Sequence, residues 1–149
     1  MPDILHRVGI KSPSPHDVYN ALTTMEGLSG WWTTTTQGES NVGGVINFMF
    51  GDRGRIDVKV VEFDPGRRVV WQVVGGPEDW IDSKVSFELR SEGEQTIVLF
   101  KHQGWSEQSE FMHHCSTKWA SFLMSMKSLV ETGEGAPFPD DVHVSLNWN

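Results

Sequence analysis

Between Val45 and His102 the chain reads as five extended runs, 45–50, 55–63, 68–74, 81–89 and 96–102, set apart by GDRG, DPGR, GGPEDW and SEGE. A parallel crossover needs about a dozen residues or more, so runs joined this tightly must be antiparallel neighbours. Alternation is clearest at Val85, Phe87 and Leu89 and at Thr96, Val98, Phe100 and His102. Such alternation gives a sheet one apolar face, and an apolar face must be covered.

The cover is legible just downstream. Over 107–131, Phe111, Cys115, Trp119, Phe122, Met126 and Leu129 recur at three- and four-residue spacing, widened by Met112, Leu123 and Val130. Glu110, His113, Thr117, Lys118, Ser121, Ser125 and Ser128 occupy the other side, and Gly133 supplies a stop, so this is one long amphipathic helix. Upstream, 4–10 alternates imperfectly as a first strand. Ser14, Pro15 and Asp17 then form a helix start, and MEGLSGWW reads as a second short turn. Residues 33–44, with little that packs and a Gly43-Gly44 pair, read as a loop.

The expected architecture is α+β: a curved antiparallel sheet of six to seven strands, two short helices and a long C-terminal helix lying across the sheet. One domain over 1–149 suits this length. In the tail, Val142, Val144, Leu146 and Trp148 alternate with polar residues. Segment 133–149 is therefore expected either to pair with a sheet edge or a second subunit, giving a homodimer, or to be an unattached end.

Charge and cysteine use narrow the partners. Twelve Lys plus Arg against twenty Asp plus Glu give −8, which works against phosphate backbones and anionic bilayers, so neither nucleic acid nor membrane is expected. Cys115 is the single cysteine, which removes any intrachain disulfide. The N-terminus lacks a signal-peptide pattern and no run is long enough for a membrane span, so the expected setting is the cytoplasm. Seven Trp and eight Phe require an internal destination, either a filled core or the wall of a pocket.

Taken in order, SPSPHDVYNAL, GLSGWW, VGGVINF, VVEFDPGRRVVWQ, WIDSKVSFEL, TIVLFKHQGW and ETGEGAPFP resemble the START-like (SRPBCC) superfamily with its helix-grip fold. Within it they resemble the proteins named after the activator of a heat-shock chaperone's ATPase, with polyketide cyclase-like proteins as further kin. The resemblance spans roughly residues 4–139. It implies an apolar cavity between sheet and long helix. The fold hosts carriers, cyclases, sensors and co-chaperones alike, so activity must be argued from the site.

The residues expected to line that cavity are Trp31 and Trp32 at its mouth, Phe48, Trp71, Phe87 and Phe100 on the strands, and Cys115, Trp119, Phe122 and Met126 on the helix. For Trp31 and Trp32 an extended backbone predicts one ring facing inward and one toward the loop. His102 shares strand parity with Phe100, and is either a ligand-orienting or acid–base group or a hydrogen-bonded histidine holding the following turn. Asn47 and Gln72 are further polar interruptions. His113, His114 and Cys115 point apart around a helix, and Glu110-x-x-His113 occurs once, so no metal is expected; no nucleotide fingerprint occurs, and no cofactor is expected. Asp140-Asp141 reads as solubilising. The leading expectation is a carrier or sensor of an apolar small molecule. The alternatives are a cyclase or hydrolase using His102, and a chaperone-contacting module.

Overall fold

A computed structural model describes residues 1–148. The chain runs β1 (Asp3–Ile10), α1 (Pro15–Thr23), α2 (Met25–Trp31), β2 (Thr35–Gly38), β3 (Val45–Met49), β4 (Arg55–Asp64), β5 (Arg68–Gly75), β6 (Lys84–Glu92), β7 (Gln95–Gln103) and α3 (Glu110–Thr132). All neighbours in the seven-stranded sheet are antiparallel, in the order β1-β7-β6-β5-β4-β3-β2. The expected α+β helix-grip layout is therefore present, with the first strand returning to pair with the last.

Local chemistry sets the helix boundaries. The Ser14 side chain accepts from the His16 amide at 3.3 Å, with Pro15 as the first helical residue. Thr24 serves two helices: its hydroxyl donates to Asn20 O at 2.8 Å and accepts from the Gly27 amide at 2.9 Å, so α1 ends where α2 begins. Ser109 caps α3 through Met112 N, and Gly133, at φ 89°, closes it in the left-handed conformation that glycine adopts without penalty.

The expected loop over 33–44 is corrected in part, because Thr35–Gly38 pairs with β3 as an edge strand. Its residues bury nothing large, so hydrophobic periodicity carried no signal; threonine's β-preference and backbone pairing make the strand. The strand reading of the tail is also corrected: among the described residues, Val142–Trp148 takes no strand conformation, and Asn149 lies outside them. Side-chain alternation becomes a strand only when a partner backbone is available. Here the backbone pairing falls earlier, where Phe138 N donates to Trp32 O at 2.8 Å and Thr34 N to Phe138 O at 3.1 Å.

β4 carries register shifts at Asp57/Val58 and Val60/Glu62. Such irregularities bend a strand, so the sheet curves away from the straight helix over it. The core between them contains Val58, Val60, Trp71, Val85, Phe87, Phe100, Leu123 and Met126, all at most 1% exposed. Among the described residues, no helix is long and apolar enough to cross a membrane.

Candidate functional site

Helix and sheet separate at one end, around the first half of α3, and leave a cavity of about 1270 Å³. α3 contributes Phe111, His114, Cys115, Lys118, Trp119 and Phe122. Arg55, Ile56 and Asp57 come from the start of β4, Gly76, Pro77 and Trp80 from the β5–β6 connection, and Trp32 from the end of α2. The tail roofs it with Phe138, Asp141 and residues 143–148.

Four of the expected lining residues, Trp32, Cys115, Trp119 and Phe122, are on this wall. Trp31, Phe48, Trp71, Phe87, Phe100, His102 and Met126 are not; they are buried behind it and fill the core. The reason is depth. Trp71, Phe87 and Phe100 of β5, β6 and β7 are buried in the core, and the cavity lies where the start of β4 and the β5–β6 connection meet the first half of α3.

The Trp31-Trp32 expectation is corrected as well. Trp31 ends α2 and Trp32 is its helical C-cap, so the backbone is not extended. Both rings are buried and lie parallel, with centroids 5.8 Å apart. Trp31 is held by its indole N–H on Ala21 O at 2.8 Å. Trp32 stacks on Trp71 at 6.0 Å and meets Trp119 at 5.0 Å, while Trp80 stacks on Trp119 at 5.8 Å. The cavity's indole wall is thus backed by a second layer of rings, and packing of this kind holds rotamers fixed.

His102 is fully buried, and both of its ring nitrogens are engaged. The Trp119 indole N–H donates to Nδ1 at 3.1 Å, so Nδ1 carries no proton. Nε2 therefore bears it and donates to Ser83 Oγ at 2.8 Å, and the Ser83 hydroxyl in turn donates to Trp80 O. Burial pulls the His102 pKa down to about 3. The ring is a hydrogen-bonded spacer between two cavity-wall tryptophans, tied to Trp119 and Ser83 rather than to the turn that follows it.

Charged groups at the wall come in pairs. Lys118 Nζ donates to Asp141 Oδ2 and, at 2.7 Å, to Val142 O, and sits 4.9 Å over the Phe122 ring. Arg55 holds Asp57 at 3.1 Å, and Asp57 also accepts from Asn47 Nδ2 at 2.6 Å, so Asn47 braces the wall without forming it. Gln72 is half-buried and away from the cavity. Burial pushes the Cys115 thiol up to about 12 against a smaller lowering by the Trp80 indole, which favours the protonated thiol over the thiolate. His114 is lowered by burial first and then by Lys118 and Arg53, and its ring meets Phe111 at 6.2 Å and Trp148 at 5.4 Å.

Lys118 and Asp141 are what sequence reasoning missed. Helical spacing puts Lys118 on the polar side and composition puts Asp141 among solubilising acids, yet they meet as a buried pair, with side chains 11% and 3% exposed. The available signal was that Lys118 lies one turn before Phe122, at the border of the apolar stripe. Phe50, Trp80, Phe111 and Phe138 were also left out of the expected lining, since their positions depend on how connections and tail fold back.

A seven-stranded antiparallel sheet gripping a long C-terminal helix, with an aromatic cavity at the junction, defines a helix-grip protein of the START-like class. The family model for activator of Hsp90 ATPase homolog 1-like protein matches residues 13–131, and the chain belongs to this family. It is similar to the Aha1 dimer from Colwellia psychrerythraea, whose solution structure shares 46% identity and a TM-score of 0.83, covering 91% of this chain and 100% of that one. SSP2350 from Staphylococcus saprophyticus shares the fold at 14% identity and TM-score 0.74, covering 90% of this chain and 95% of that one. CalU16 from Micromonospora echinospora does so at 23% and 0.68, covering 89% and 75%. No curated protein sequence matches this chain.

Proposed function

We propose that this protein holds an apolar small molecule of lipid, polyketide or aromatic type in the cavity beside α3, as a carrier or sensor rather than a catalyst. The observation that carries the reading is a cavity of about 1270 Å³ whose wall includes Trp32, Trp80, Trp119 and Phe122, in a chain with net charge −8. Apolar area removed from water stabilises binding by roughly 25 cal/mol per Å², and a rigid wall loses little entropy when it is covered. Two groups that acid–base or nucleophilic chemistry could have used are otherwise occupied: His102 is behind the wall and doubly hydrogen-bonded, and burial raises the Cys115 thiol to about 12.

The test is native mass spectrometry of the protein against a library of fatty acids, phospholipids and polycyclic aromatics, with tryptophan fluorescence in parallel. Retention of one chemical class with a change in indole emission is expected. No retained compound and an unmoved emission spectrum overturn the reading.

A second reading concerns assembly. A relative at 46% identity is described as a dimer, which supports a homodimer for this chain.

A further inference from the structure

We propose, resting on the ligand-binding reading above, that the cavity takes an aromatic compound bearing a neutral hydroxyl, and that Asp141 is the residue that recognises the hydroxyl. The Asp141 side chain is 3% exposed and is part of the cavity wall. Oδ2 is committed to Lys118, but among the described residues no donor reaches Oδ1, which is buried. A buried carboxylate oxygen without a partner is costly, and the cost is removed when something entering the site supplies the donor.

Charge selects which donor. Lys118 already neutralises Asp141 and Arg55 pairs with Asp57, while Arg53 lies on the same wall, so an ammonium would bring a further cation to a wall whose two carboxylates are already paired. A carboxylate would set acceptor against acceptor. A neutral hydroxyl supplies one donor at no charge cost. The body attached to it is defined by the surroundings: Trp32, Trp119 and Phe122 are part of the same wall, an aromatic surface that suits a planar ring laid against it. A site built to accept from a hydroxyl discriminates strongly against the analogue that lacks it.

The experiment compares 1-naphthol with 1-methoxynaphthalene, which differ only by methylation of the donor, using calorimetry on the full chain. The hydroxyl compound is expected to bind tenfold or more tightly to the wild type. In Asp141→Asn the ratio is expected to fall close to one, because an amide NH2 turned toward the ligand donates equally to hydroxyl and ether. If Asp141→Asn does not fold, nuclear Overhauser contacts between the naphthol ring and the Asp141 methylene in the wild type serve instead, and their absence overturns the assignment. Equal binding of the two compounds to the wild type overturns the hydroxyl proposal while leaving an apolar carrier intact, and means that Oδ1 keeps a water. Retention of fatty acids with neither naphthalene bound has the same meaning. Failure of every compound overturns both readings.

Discussion

Trp119 belongs to two environments at once. Its ring meets Trp32 and Trp80 at the cavity, and its N–H ends inside the core on His102. Trp119→Phe keeps most of the wall but leaves His102 Nδ1 without a donor, so a loss of about 1–3 kcal/mol in urea unfolding is expected. His102 itself makes stability pH-dependent, and its sign follows from the direction of its shift. The folded pKa, about 3, lies below the ordinary 6.5, so the unfolded chain takes up a proton that the folded chain refuses. The contribution is complete above pH 6.5 and is lost as pH falls toward 3. Between pH 7.5 and pH 5 the wild type is expected to lose about 2 kcal/mol more than His102→Gln, at roughly 1.4 kcal/mol per pH unit below 6.5. Equal losses in the two proteins would show that the ring titrates normally.

At the scale of elements, the tail is the piece that completes the cavity. Ser125 Oγ accepts from Ala136 N at 2.8 Å, Phe138 packs on Phe50 at 5.6 Å, and Lys118 grips Asp141 and Val142. Truncation after Asp140 removes both Lys118 acceptors named here and uncovers the mouth. A buried charge stripped of its counter-ion costs about 3–5 kcal/mol, so a drop of that order in urea unfolding is expected for the truncated chain. Adding Lys118→Met to the truncation should restore most of it, since the charge is then gone. If the truncated chain is as stable as the full one, the clasp between tail and α3 contributes nothing.

At the scale of the whole molecule, the homodimer proposal predicts a light-scattering mass near twice 16.8 kDa at micromolar concentration. A mass of 16.8 kDa throughout dilution from 100 μM would contradict it. The overall architecture is readable from the sequence because short connections and alternation allow few pairings: six of the seven strands and the long helix are marked by apolar spacing. β2 was not, because an edge strand of threonines is held by backbone bonds that leave no trace in hydrophobic pattern. The site was readable only in outline. Trp119 and Phe122 share one stripe with Met126, yet Trp119 and Phe122 face open space and Met126 a filled core.

Periodicity reports which face of an element is buried, and that was enough for the fold class, the sheet's apolar side and the covering helix. Whether a buried face meets a side chain or a void depends on where the bulged β4 and the β5–β6 connection leave the helix. Whether Lys118 and Asp141 meet depends on how the tail returns, a contact between residues 23 positions apart. Both are decided by distances across the assembled fold, which no local pattern of residues encodes.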